Sequence, residues 1–239
     1  MNQHGRICPR RGVRMVKRSG WEGLAVVALC LTSGPFAFGQ PPKSEIEAKP
    51  KAKVEKKEEP KVDLMGLFRM HYDFRVRSFK EQNQPYQNVV LLGDSITEGF
   101  EVPKFFPGRR VLNRGIGGDV IGNDLPENDK RGVLRRLDNS LYDCAATDVF
   151  LLIGVNDLNS GHNVDQMEKG YRELLKRIKE RVPAVRVHVQ TLLPTRGGFD
   201  RLNAPIREFN GRLKGMAAEF GNDFVDVHSL LADAEGRLK

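Results

Sequence analysis

Val89-Val90-Leu91-Leu92-Gly93-Asp94-Ser95-Ile96-Thr97 carries the decisive pattern of this 239-residue chain. Its β-branched and aliphatic opening reads as a buried parallel strand. The run ends abruptly in Gly-Asp-Ser, and Ile96-Thr97-Glu98 follows as a first helical turn. Ser95 then stands at the carboxyl end of a strand and the amino end of a helix. Ligands bind along that edge in open α/β sheets, and the helix end favours developing negative charge. The plainer alternative is a serine that only caps the helix.

Working outward, strands and helices alternate. Residues 88–92, 110–113, 148–153, 185–191 and 223–227 read as strands. Residues 63–82, 132–141, 164–182 and 204–220 read as helices. The first helix offers Leu64, Leu67, Phe68, Phe74 and Phe79 as core candidates. The third gathers Met167, Tyr171, Leu174, Leu175 and Ile178 on one face, and Pro183 stops it. In the last, Ile206, Phe209, Leu213, Met216 and Phe220 recur at helical spacing. Asn203 suits its N-cap, Pro205 its first turn and Gly221 the position after its end. Such alternation predicts a parallel sheet with right-handed crossovers. The expected arrangement is a doubly wound, five-stranded sheet of order 2-1-3-4-5.

In that order the carboxyl ends of the first three strands meet at the switch point between strands one and three. The first loop there carries Ser95, the second Gly117-Gly118-Asp119 and the third Gly154-Val155-Asn156-Asp157. A serine, a glycine-loop amide and an asparagine amide converging on one point suit acyl transfer. That chemistry needs a nucleophile and donors aimed at the oxyanion of a tetrahedral intermediate.

These three blocks resemble those of the SGNH, or GDSL, hydrolase family. The stretches 91–99 and 113–119 are similar to the branch that includes the platelet-activating-factor acetylhydrolase catalytic subunits. The resemblance covers roughly residues 65–235. It implies Ser95 as nucleophile, and oxyanion donors from the Ser95 and Gly118 backbone N–H groups and the Asn156 side chain. It implies a three-layer α/β/α fold, Asp94 and Asp157 as supporting residues, and neither metal nor cofactor. Its substrates would be short acyl esters, such as an acetylated sugar or lipid. The pattern is not the Gly-x-Ser-x-Gly elbow, because Thr97 holds the second glycine position.

One block departs from the family, whose catalytic base is a histidine in a late Asp-x-x-His. No Asp-x-x-His occurs in these 239 residues, so we expect a C-terminally incomplete domain whose activity does not follow from its fold. His4 falls in the leader, His71 in the first helix and His188 inside strand four. His228 ends strand five, three strands from strand one. At about 4.8 Å per strand, that is roughly 14 Å from Ser95. His162, after strand three, is the nearer base candidate, with Asp157 or Asp165 to orient it. Its plainer reading is a solvent-facing loop residue.

The formal net charge is +8, but residues 1–39 carry +5 of it and residues 40–61 carry +2. The remainder is nearly neutral, which removes the case for nucleic-acid binding. Residues 1–39 resemble a signal peptide. A basic stretch precedes the apolar run 24–31, and Ala37 and Gly39 supply the small residues that a signal peptidase reads. The run is short for a membrane span, so we expect cleavage and export without a stable anchor. Residues 40–61, rich in Lys, Glu and Pro, read as a disordered linker. Cys8 and Cys30 would leave with the leader, and Cys144 would stand alone. Two other functions compete. One is a non-catalytic ester- or glycan-binding module. The other, dinucleotide binding by residues 115–122, fails the Gly-x-Gly-x-x-Gly pattern at Val120. Nothing in the sequence indicates an oligomeric state.

Overall fold

The computed structural model describes residues 63–83 and 88–239. The expected leader and linker lie outside the described residues. Elements follow in the order α1 (Leu64–Gln82), β1 (Asn88–Gly93), α2 (Ser95–Glu98), α3 (Val102–Phe105), β2 (Val111–Gly115) and α4 (Leu137–Ser140). Then come β3 (Ala146–Leu152), α5 (Val155–Asn159), α6 (Val164–Arg181), β4 (Arg186–Gln190), α7 (Asn203–Phe220), β5 (Asp223–Val225) and α8 (His228–Leu231). All strand pairings are parallel, and the order is β2-β1-β3-β4-β5, as the alternation predicted.

The handedness of the crossovers sets the layers. The β3–β4 and β4–β5 connections advance in one direction and place α6 and α7 side by side on one face. The β1–β2 connection runs the opposite way and lies on the other face. The core between sheet and helices holds Val90, Leu92, Val149 and Leu151 against Tyr171, Leu174, Phe209 and Leu213. Helix α6 begins with a capping box, in which Asn163 Oδ1 accepts from the Gln166 N–H and Gln166 Oε1 from the Asn163 N–H.

Three local expectations are corrected. Of the five core candidates in α1, only Phe79 is buried; Leu64, Leu67, Phe68 and Phe74 are exposed. The face that meets the rest of the described chain is Tyr72, Arg75, Val76 and Phe79 instead. Apolar residues surround the first half of this helix, so periodicity could not single out the packed stripe. Asn203 is the first residue of α7 and not its N-cap. Its side chain bridges the Thr195 backbone, accepting from N–H at 2.8 Å and donating to the carbonyl at 2.9 Å. A 3₁₀ segment over Gly197–Leu202 leads into the helix, so no extended N-cap is needed. The expected helix over 132–141 is a 3₁₀ turn, Val133–Arg135, followed by α4.

Phe79 anchors α1. Its ring is fully buried and lies beneath the guanidinium groups of Arg114 (4.7 Å), Arg75 (4.9 Å) and Arg136 (5.7 Å). Arg114 is itself fully buried and donates to Gln82 Oε1 and Asn83 Oδ1, which close the end of α1. Phe79→Leu keeps most of the apolar volume but removes the π face from all three cations. Unfolding in urea should show a loss of about 2 kcal/mol.

Candidate active site

The carboxyl ends of β1, β2 and β3 carry the three blocks. Ser95 opens α2 and is exposed. Asp94 is its N-cap and is buried. Its Oδ1 accepts from the Ile96 N–H at 2.9 Å, and its Oδ2 has no partner among the described residues. Burial is the largest cause pushing the Asp94 carboxyl up to about 7, with the Asp119 charge adding to it.

The turn after β2 is tied down on every side. The Gly117 N–H donates to Glu98 Oε2 at 2.6 Å, and the Gly118 carbonyl accepts from Arg131 Nη1 at 3.2 Å. The Asp119 N–H closes back on the Ile116 carbonyl at 3.2 Å. The Asp119 carbonyl accepts from Asn156 Nδ2 at 2.9 Å, which brings the third block against the second. Gly118 has φ +72°, a left-handed conformation that favours glycine. Neither its N–H nor the Ser95 N–H has a hydrogen-bond partner among the described residues.

Beneath this turn lies a buried ion pair that sequence reasoning missed. Arg136 Nε donates to Asp119 Oδ2 at 2.8 Å, and both side chains are almost wholly buried. Asp119 Oδ1 accepts from the Gly132 N–H at 2.6 Å. Arg136 also donates to the carbonyls of Gly93 (2.9 Å) and Arg114 (3.0 Å), and to Ser140 Oγ (2.8 Å). One guanidinium thus joins the ends of β1 and β2 to the glycine turn. An arginine among apolar helix positions reads in sequence as a solvated residue, so only the partner made it visible.

Asp157 is buried in α5, and both its oxygens accept from the Ile121 N–H at 3.1 Å. Burial raises this carboxyl too, to about 7. The Asp157 carboxylate therefore holds the chain just past the glycine turn and does not itself reach His162. His162 Nδ1 lies 3.3 Å from the Asp157 backbone carbonyl, and the Asp165 carboxylate pairs with Arg212. The carboxylates of both orienters expected for His162 are thus engaged elsewhere, and Asp157 meets its ring only through the backbone carbonyl.

None of the four described histidines hydrogen-bonds Ser95. His71 Nε2 meets Glu98 Oε1 at 2.9 Å. His188 sits between Asp148 and Asp223, 3.0 Å from each, and stacks on Phe150. His228 lies beyond the end of β5, opens α8 and is buried, with its N–H donating to Thr191 Oγ1 at 2.8 Å. Burial is the main cause holding its imidazole below the ordinary value. Two strands, β3 and β4, separate β5 from β1.

Comparison with known proteins accords with this geometry. The chain is 31% identical over 150 residues to platelet-activating factor acetylhydrolase IB subunit alpha1 of Pongo abelii and of Homo sapiens. That match covers 61% of this chain and spans 58% of those relatives' length. Among solved structures, a Streptococcus pneumonia protein named as a platelet activating factor superposes with TM-score 0.64 at 23% identity, covering 74% of this chain and 84% of that one. A GDSL-like lipase from Bacteroides thetaiotaomicron gives TM-score 0.58 at 22% identity, covering 70% and 82%. At these identities the two structures speak for the fold alone. The model of the GDSL-like lipase/acylhydrolase family matches residues 91–239, from inside the strand before Ser95 through all three blocks. With that match and this strand order, the chain belongs to the GDSL-like lipase/acylhydrolase family.

Proposed function

We propose that this chain is a serine esterase that cleaves short acyl esters of the acetyl type. The Ser95 Oγ attacks the acyl carbon, and its proton passes through solvent to the departing alcohol as the ester C–O bond breaks. Water then releases the acid from the acylated serine. The Ser95 N–H, the Gly118 N–H and the second N–H of the Asn156 amide receive the oxyanion. The observation that carries this reading is the Gly118 N–H. Other groups satisfy the neighbouring polar atoms of its turn, and among the described residues this donor of the turn has no partner. A preorganised unpaired donor is what stabilises charge that appears only in the transition state. Neighbouring family members favour the same chemistry.

The experiment is labelling with a fluorophosphonate, followed by peptide mass spectrometry. The label is expected on Ser95 and should be lost in Ser95→Ala. An unlabelled wild-type protein would overturn the esterase reading. A second reading, a binding module without turnover, is favoured by one observation: no described histidine touches Ser95. It requires ester or glycan binding that Ser95→Ala leaves unchanged, with no label.

Export is part of the proposal and rests on the sequence of residues 1–39 alone. Among the described residues no helix is long and apolar enough to cross a membrane. Amino-terminal sequencing of the exported protein should begin at Gln40.

A further inference from the structure

Two adjacent glycines form the most freely rotating peptide in the site, and their orientation decides where the Gly118 N–H points. The peptides on either side are anchored. On one side the Gly117 N–H is held by Glu98, and on the other the Gly118 carbonyl is held by Arg131. With both neighbours fixed, the Cα atoms flanking the middle peptide are held, and with them the position of the Gly118 N–H.

The Glu98 anchor is itself built into the nucleophile's helix. Glu98 is three residues after Ser95 in α2. The end of β2 abuts that turn so closely that a Cβ on Gly115 would come within 2.1 Å of the Glu98 nitrogen. Asn113 Nδ2 donates to the Thr97 carbonyl at 2.7 Å and the Glu98 carbonyl at 3.1 Å, which fixes the register of the two segments. The second carboxylate oxygen of Glu98 is also used. His71 Nε2 lies 2.9 Å and Arg75 Nε 3.2 Å from Oε1. Arg75 also donates to the Gly115 carbonyl at 2.8 Å. Tyr72 and Phe79 of α1 pack with Ile116, immediately before the glycine pair.

Exposed ion pairs are worth little, but this one differs in two respects. The Glu98 side chain is only 22% exposed, and one of its partners is the backbone of the turn. We infer that Glu98, braced by His71 and Arg75 of α1, is a positioning residue that aims the Gly118 N–H at the reacting oxygen. The helix upstream of β1 is then part of the catalytic apparatus. This inference rests on the serine-esterase reading.

The test uses the full chain and two measurements, turnover of p-nitrophenyl acetate and NMR hydrogen exchange of the Gly117 amide, the one Glu98 accepts. Glu98→Ala should lower kcat about 10- to 100-fold with KM within about threefold, because only the transition state uses the donor. It should also speed exchange of the Gly117 amide at least about tenfold, because that N–H loses its acceptor. Glu98→Gln keeps an acceptor for the Gly117 N–H and should recover most of kcat. If Glu98→Ala does not fold, the pair His71→Gln and Arg75→Gln leaves the Glu98–Gly117 bond in place. That pair should still lower kcat about threefold by loosening the carboxylate. Wild-type kcat and exchange in Glu98→Ala, or in the double variant where that must stand in, would overturn the inference. So would Glu98→Gln as impaired as Glu98→Ala. A wild-type chain without turnover overturns the esterase reading instead. The exchange measurement then decides the brace: faster exchange supports it and unchanged exchange overturns it.

Discussion

Arg136→Ala is expected to lower the free energy of unfolding by about 3–5 kcal/mol, the cost of stranding a buried charge. The substitution leaves the Asp119 carboxylate in the interior with only the Gly132 N–H for compensation. It also removes the side-chain donor from the carbonyls of Gly93, which keeps the Ile116 N–H, and Arg114, each at a strand end beside the site. In a domain of this size the melting temperature should fall on the order of 10 °C. Arg136→Lys discriminates between causes. Lysine restores the charge but cannot reach Asp119, Gly93, Arg114 and Ser140 with one planar fork. It should recover less than half of the loss in urea denaturation. Full recovery would mean that charge alone mattered and that the fork's geometry did not.

The second large effect is a dependence on pH. Asp94 and Asp157 each titrate near 7 in the folded chain, against 3.8 for the ordinary side chain. Between those values the folded protein binds protons that the unfolded chain has released. Their contribution to stability is therefore complete below about pH 4 and is lost as pH rises to about 7. Above that both states are ionised and the slope vanishes. Other groups move the opposite way, including His228, whose lowered value makes folding more favourable as pH rises through 6.5. The difference between wild type and Asp94→Asn cancels those groups. An asparagine still caps α2 through its carbonyl oxygen and never ionises. Asp94→Asn should gain on wild type by about 2–3 kcal/mol between pH 5 and pH 7.5. Asp157→Asn should do the same, and a flat difference across that range for either variant would contradict its raised value. Because Asp94 caps the Ser95 turn, ester turnover should be tracked in the same buffers.

Much of this architecture could be read directly. Strands β1 and β3 carry the apolar runs 89–92 and 149–152, helices α6 and α7 keep a strict apolar spacing, and their alternation dictates parallel pairing. The span of helix α1 was legible, but its packed face was not. Its apolar residues surround the axis, and the chain buries Tyr72 and Phe79 while leaving Phe68 exposed beside Gly118. The roles of Asp119, Glu98 and Arg136 were hidden for a different reason. Each is a charged residue whose partner lies 17 or more positions away, and no local period encodes such a pairing.

Local order alone thus determined the sheet, its strand sequence and the loops that bring Ser95, Gly118 and Asn156 to one edge, because hydrophobic period and crossover handedness act over neighbouring residues. Which donors are left unpaired at that edge was decided only in three dimensions. A polar group is free or satisfied according to what the rest of the chain brings against it. Here Glu98, Arg131 and Asn156 occupy the bonds around the glycine turn and leave the Gly118 N–H open.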